Sequence, residues 1–124
     1  MSTRVLVVDD DPLFRDGMAQ LLGRQADIEV VGDAADGSSA LELAARVGPD
    51  VVLLDLLMPD MDGFETLPEL RDLLPDAIII VLTALNEMEA TNEGILVGAD
   101  AFLEKRHIPE ALVPLVLGQL RPLS

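Results

Sequence analysis

The chain has 124 residues, half of them hydrophobic, and it carries a formal net charge of −15 and no cysteine. This length suits one domain with a sizeable core, and no apolar run approaches the roughly 20 residues of a membrane helix. The missing cysteines exclude disulfides, thiolate metal sites and cysteine nucleophiles. The negative charge and the 2% aromatic content argue against contacts with nucleic acid. We therefore expect one cytoplasmic domain over residues 1–124 that binds neither nucleic acid nor a membrane.

Short apolar runs alternate with helix-like periods along the whole chain. Strands are predicted at 4–8, 28–34, 51–54, 77–83 and 101–104. Helices are predicted over about 12–22, 38–47, 64–74, 87–97 and 109–120. Strands that are apolar throughout are typical of a parallel sheet covered on both faces. Five successive βα units therefore predict a doubly wound α/β domain.

Apolar side chains recur at helical spacing within the first three predicted helices. These predicted core-facing residues are Leu13, Phe14, Gly17, Met18, Leu21 and Leu22, then Ala40, Leu41, Ala44 and Ala45, then Phe64, Leu67, Leu70 and Leu74. The pair Gly48-Pro49 is predicted to end the second helix, and Pro75 the third.

An aspartate interrupts the most apolar stretch of the chain, VVLLDLLM at 51–58. Burying a carboxylate without compensation costs several kcal/mol or more. Asp55 therefore needs a positive partner, and a metal ion together with a lysine would supply one.

Polar residues follow four of the predicted strands, at their carboxyl ends. They are Asp9, Asp10 and Asp11 after the first strand, Asp55 after the third, Thr83 at the end of the fourth and Lys105 after the fifth. Parallel strands bring these ends to one edge of the sheet, where open α/β sheets bind ligands. Acids at a helix start are common without any ligand, so the interpretation depends on all of these residues meeting. Clustered carboxylates favour Mg²⁺ that keeps several waters and shares a phosphate.

Four segments, VLVVDDD, LLDLLMPDMDG, IIIVLTA and GADAFLEK, then identify a family by their order and spacing. With them the chain resembles the receiver domain of bacterial response regulators, the CheY-like superfamily, over essentially its whole length. The segment DDDPLFRDGMAQLL resembles the NarL-like subgroup. The resemblance implies a flavodoxin-like (βα)5 fold, a doubly wound parallel sheet with strand order 2-1-3-4-5.

The resemblance also assigns a phosphoacceptor and a metal site. Asp55 would accept the phosphoryl group and, with Asp10, would ligate Mg²⁺ (or Mn²⁺) directly. The backbone carbonyl of Leu57 would be a further ligand, and Asp9 would act through water.

The other residues implied by the resemblance would contact the phosphoryl group or respond to it. Thr83 and the backbone amide of Ala84 would donate hydrogen bonds to it, and Lys105 would pair with it. Phe102 occupies the aromatic switch position and would turn inward when Thr83 is drawn to the phosphate. Many receivers have proline after the lysine, whereas this chain has Arg106, which puts a cis-proline bend in doubt.

By this resemblance the chain takes a phosphoryl group from the phosphohistidine of a histidine kinase or histidine phosphotransfer protein in a two-component system. It would not be an enzyme but a phosphoacceptor that catalyses its own phosphorylation and dephosphorylation. Phosphorylation would change the surface that binds partners, and a homodimer is possible in that state. NarL-like receivers usually precede a helix-turn-helix domain, so we expect transcription to be regulated through an output domain that this chain lacks. A stand-alone receiver, or an unphosphorylated receiver-like interaction module, is the alternative.

Two enzyme-like alternatives fit the sequence less well. A phosphohydrolase of the haloacid-dehalogenase type would need a second acid two residues after Asp55, where this chain has Leu57. A nucleotide- or flavin-binding domain would need a glycine-rich phosphate loop after the first strand. His107 is not required by the phosphoacceptor chemistry, and we predict that it lies on the surface.

Overall fold

The computed structural model describes residues 2–55, 63–83 and 98–118. The described strands are β1 (Thr3–Val8), β2 (Ile28–Ala34), β3 (Val51–Asp55), β4 (Ile78–Thr83) and β5 (Ala101–Glu104). The described helices are α1 (Pro12–Gly23), α2 (Gly37–Val47), α3 (Gly63–Leu73) and α4 (Ile108–Val116), with a single 3-10 turn over Lys105–His107. The helix predicted over 87–97 and the side chain of Phe64 lie outside the described residues.

The five strands form one sheet in the order β2-β1-β3-β4-β5, and every neighbouring pair is parallel. The predicted flavodoxin-like order is therefore confirmed. β1 and β3 are neighbours, and their register pairs Val8 with Leu54. This register sets the residues that follow β1 beside the last residue of β3, Asp55.

The sheet has a hydrophobic core on each face, as alternate residues of a covered parallel sheet require. One core combines Leu6, Val52 and Ile79 with buried residues of α2 and α3. The opposite core combines Val7, Leu53 and Leu82 with buried residues of α1 and α4. All of these strand residues are at most 1% exposed. The two cores cover both faces of the sheet and leave its carboxyl edge to position side chains.

The prediction of which helix residues face the core is correct for the centre of each apolar face and wrong for residues at its margins. Leu13 was expected in the core but is 80% exposed, and Gly17 is also exposed. On α2, Ala45 is exposed, whereas Leu43, which the pattern did not select, packs against the core. Successive side chains of an α-helix point about 100° apart around its axis. A small alanine at the margin of the apolar face therefore does not show whether its position faces the core or the solvent.

The ends of α2 follow ordinary capping chemistry. The Asp36 side chain accepts a hydrogen bond from the Ser39 backbone N–H at 2.7 Å, and this bond lowers the pKa of the Asp36 carboxyl. At the other end Gly48 has a φ of 54°, a left-handed conformation that favours glycine. The predicted stop at Gly48-Pro49 therefore agrees with the observed end of α2.

The last helix is shorter than predicted. α4 ends at Val116 and is followed by a turn to Gly118, whose φ is 75°. The apolar sequence suggested a helix to about residue 120, but the left-handed glycine ends it earlier. Among the described residues, no helix is long and apolar enough to cross a membrane.

Candidate functional site

The candidate site lies at the carboxyl edge of β1 and β3. Asp9 directly follows β1, Asp55 is the last residue of β3, and these two residues are only 2% and 4% exposed. Asp10 follows Asp9 and is exposed. One carboxylate oxygen from each of the three aspartates lies within 4.8 Å of the others. The sheet therefore brings together three of the predicted acids, two buried and one facing solvent.

This arrangement of oxygens fits a divalent cation. Three carboxylates at such short separations repel one another unless positive charge lies between or beside them. Carboxylate oxygens are the ligands that Mg²⁺ prefers, and an exposed side leaves room for the waters that this ion keeps. Asp9, Asp10 and Asp55 could hold such an ion.

Lys105 supplies positive charge to the same site. It begins the 3-10 turn after β5, and its Nζ lies 2.9 Å from Asp9 Oδ2 and 3.7 Å from Asp55 Oδ2. The structure therefore places Lys105 beside Asp55, although its closer partner is Asp9. It reaches this position with Arg106 after it and with no cis peptide bond in the described residues.

Asp11 does not join the acidic group, although it continues the run of three aspartates. Its side chain accepts a hydrogen bond from the Leu13 backbone N–H at 2.9 Å and so caps the start of α1. Its own backbone N–H donates to Asp9 Oδ1 at 2.9 Å. The helix start thus fixes the Asp9 carboxylate, with Oδ1 bound to the loop and Oδ2 turned towards Lys105.

Two further residues at this edge were not predicted as part of the site. The Nη1 of Arg15 donates to the Asp9 carbonyl at 2.7 Å, and its Nε pairs with Asp33 Oδ1 at 3.1 Å. The ring centroid of Phe14 lies 4.2 Å from the Nζ of Lys105. The sequence signal that could have identified Arg15 is a cation one helical turn after the acidic run. The sequence gives no such signal for Phe14, which fits the apolar pattern of a core residue.

The remaining predicted site residues are only partly described. Thr83 ends β4, where it pairs with Glu104, but its side chain lies outside the described part, as do Leu57 and Ala84. Phe102 is half-buried on β5 and packs against the core beneath α2 and α3. The exposed His107 interacts through Nδ1 with Glu110 Oε1 at 2.9 Å, which agrees with its predicted surface position.

The charge balance of this site gives a first testable prediction. The substitution Asp10→Asn removes one of three clustered negative charges, and we expect it to raise the free energy of unfolding by about 1 kcal/mol without Mg²⁺. Mg²⁺ at about ten times its Kd for the wild type should stabilise the wild type by about 1.4 kcal/mol. The same Mg²⁺ concentration should stabilise the variant by clearly less. Urea unfolding with and without Mg²⁺ measures both effects.

The matched control for this experiment is Asp11→Asn. It also removes one carboxylate from the run, but asparagine caps a helix about as well as aspartate, and Asp11 lies outside the group of three. We expect Asp11→Asn to keep the wild-type response to Mg²⁺. Equal responses of the two variants would contradict a cation site at Asp10.

Comparison with known proteins places the chain among signalling proteins. The response regulator receiver domain family matches residues 5–117. The nitrate/nitrite response regulator protein NarL of Escherichia coli strain K12 is 41% identical over 109 residues, covering 88% of this chain and 50% of that protein. The transcriptional regulatory protein LiaR of Bacillus subtilis strain 168 is 43% identical over 102 residues, covering 82% of this chain and 48% of that protein. The chain thus spans about half the length of these curated relatives.

A solved structure agrees with these relatives. The signal receiver domain of a response regulator named NarL from Mycobacterium tuberculosis superposes with a TM-score of 0.79 at 37% identity. The match covers 94% of this chain and 98% of that one.

Proposed function

The chain belongs to the response regulator receiver family, with NarL-type relatives, and from this premise we propose that Asp55 accepts a phosphoryl group from phosphohistidine. The donor would be a histidine kinase or a histidine phosphotransfer protein. One observation carries the proposal: the buried Asp55 carboxylate ends β3 with the Lys105 ammonium at 3.7 Å and the carboxylates of Asp9 and Asp10 beside it.

The transfer needs no base from the protein, because the Asp55 carboxylate is already a nucleophile at neutral pH. An Asp55 oxygen attacks the phosphorus in line with the leaving imidazole. The new O–P bond replaces the N–P bond of phosphohistidine, and the bond electrons return to the imidazole nitrogen. Lys105 moves from Asp9 towards the transferred group and neutralises its oxygens. Thr83 and the Ala84 amide would donate hydrogen bonds that fix its orientation.

A divalent cation completes the proposed site. Asp10, Asp55 and the Leu57 carbonyl would hold Mg²⁺ or Mn²⁺, with Asp9 acting through water, and the ion would neutralise charge on the phosphoryl oxygens when bound. Asp9 has a second role, because its Oδ2 holds Lys105 within reach of Asp55 before the phosphoryl group arrives. The chain then acts as an acceptor that is itself modified and later loses the group by hydrolysis, without the turnover of an enzyme.

The response to phosphorylation would be a population shift in the surface near β4 and β5. The added charge on Asp55 would draw Thr83 towards it, and Phe102 would turn inward. Phe102 pairs with Val81 of β4 in the sheet, so a change at the end of β4 has a short route to this ring. The altered surface would then change partners, with a homodimer as one outcome.

The output is proposed to be transcriptional. LiaR is named a transcriptional regulatory protein, and NarL a nitrate/nitrite response regulator. The net charge of −15 disfavours DNA binding by this domain, so an output domain would make the DNA contacts.

The test is covalent modification at one residue. After incubation with acetyl phosphate and Mg²⁺, the wild type should gain the mass of one phosphoryl group, and Asp55→Asn should gain none, because the amide is a poor nucleophile. Intact-mass spectrometry makes the measurement. Asp72→Asn, which changes an exposed acid on α3, should behave as the wild type.

Two outcomes would count against this proposal. A wild type that gains no mass from a competent donor would favour an unphosphorylated interaction module. Repeated turnover of small phosphate esters, released at many equivalents per chain, would favour a phosphohydrolase.

A further inference from the structure

An aromatic ring from α1 forms one wall of the site around the lysine. Phe14 stands in the first turn of α1 and is half-buried, and its ring centroid lies 4.2 Å from the Nζ of Lys105. This separation is well inside the range of about 6 Å at which a cation is attracted to an aromatic face.

The ammonium of Lys105 therefore has three close neighbours. Asp9 Oδ2 lies at 2.9 Å, Asp55 Oδ2 at 3.7 Å and the Phe14 ring at 4.2 Å. The same Nζ therefore lies within reach of both carboxylates and of the ring. The ring thus restricts the rotamers of a long, flexible side chain before the phosphoryl group arrives. Less side-chain entropy is then lost when Lys105 pairs with that group.

We propose that Phe14 is a positioning residue for Lys105, holding the ammonium by a cation–π interaction where it can pair with a phosphoryl group on Asp55. The proposal rests on the phosphoacceptor function of Asp55. It goes beyond packing, although Phe14 also contacts the core shared by α1 and α4. A packing role depends on apolar volume, whereas a cation–π role depends on the aromatic face. Leucine and tyrosine separate the two roles, because leucine keeps apolar character and tyrosine keeps the ring.

Lys105 is the only lysine in the sequence, so labelling lysine with ¹³C gives a single ε-CH₂ signal by NMR. In the wild type the ring should shift this signal away from its position in the unfolded chain. We expect Phe14→Leu to lose the shift and Phe14→Tyr to keep it. Phe14→Met provides a second ring-free variant if the leucine variant does not fold.

The functional consequence is measured with beryllofluoride, a phosphoryl mimic, and Mg²⁺ on the whole chain. Loss of the ring should weaken beryllofluoride binding about three- to tenfold, and the tyrosine variant should stay within about twofold of the wild type. Leu21→Ala, which alters the same core from the same helix, should change neither the lysine signal nor the affinity.

The outcomes are separable. An unchanged lysine signal in Phe14→Leu, or an affinity of that variant for beryllofluoride equal to that of the wild type, would overturn the role of Phe14 while leaving wild-type binding intact. A wild type that binds no beryllofluoride would instead overturn the proposed function of Asp55.

Discussion

The variant Lys105→Met is expected to accept a phosphoryl group from acetyl phosphate about 100-fold more slowly than the wild type. The ammonium lies 3.7 Å from Asp55 Oδ2, so it can neutralise charge on the phosphoryl oxygens as the new bond forms. Methionine keeps much of the side chain's apolar length but has no charge. Initial rates read by intact mass at saturating Mg²⁺ measure the effect.

Arg106→Met is the matched control for this substitution. Arg106 is the neighbouring cation, but its guanidinium pairs with Glu104 at 2.7 Å and its side chain is 74% exposed. The same charge is removed from the same turn, so a general electrostatic effect would slow both variants alike. We expect the phosphorylation rate of Arg106→Met to stay within about twofold of the wild-type rate, because an exposed ion pair contributes little. A similar slowing of both variants would refute the specific role of Lys105.

Loss of Lys105 should also lower stability, which must be separated from the rate. Asp9 is 2% exposed, and in Lys105→Met its carboxylate would lose its ammonium partner. We expect about 2 kcal/mol of destabilisation without Mg²⁺. Rates should therefore be compared at a temperature where unfolding curves show both variants folded.

The placement of the main site residues could be predicted because it depends on topology. Strands that are apolar throughout require a sheet covered on both faces, and parallel strands direct all of their carboxyl ends to one edge. Asp9 and Asp55 therefore had to meet once β1 and β3 were neighbours, and the register of Val8 with Leu54 makes them adjacent.

Side-chain detail within that frame could not be predicted, because it depends on contacts between distant positions. Asp11 belongs to the same acidic run as Asp9, but the helix start binds its side chain to Leu13 N–H. Phe14 satisfies an apolar pattern whether or not a cation approaches its face. Only the three-dimensional placement of Lys105, far along the chain, shows that a cation approaches the ring of Phe14.

The largest such omission is Arg71, at the end of α3, which the sequence pattern gave no reason to select. Its guanidinium joins the segment just after α3, residues 74–77, to residues 98–100, which are distant in the chain. Nε donates to the Gly98 carbonyl at 2.9 Å, and Nη2 pairs with Asp100. Nη1 donates to the carbonyls of Leu74, Pro75 and Ala77 at 3.3, 3.1 and 2.8 Å.

The partner carboxylate extends this connection to the sheet. Asp100 Oδ2 also accepts the backbone N–H of Ile79 at 2.8 Å, and the Asp100 N–H donates to the Ile79 carbonyl at 2.9 Å. Arg71 and Asp100 together therefore fix the residues that lead into β4 and β5. Since Lys105 directly follows β5, this connection also supports the placement of the lysine.

Arg71→Met is accordingly expected to lower the free energy of unfolding by about 3 kcal/mol, because it removes the guanidinium that donates to four backbone carbonyls and pairs with the Asp100 carboxylate. Denaturation with urea, followed by far-UV circular dichroism, measures the change. Arg46→Met is the control, since Arg46 is exposed on α2 and surface substitutions usually stay within about 0.5 kcal/mol.

A companion variant tests whether the carboxylate is the important partner. Asp100→Asn keeps an acceptor for the Ile79 N–H but removes the charge opposite Arg71, so we expect a smaller loss, about 1–2 kcal/mol. If Arg71→Met instead unfolded at the same urea concentration as Arg46→Met, the guanidinium would not be holding these segments together. The position of Lys105 would then depend on the packing of β5 and α4 alone.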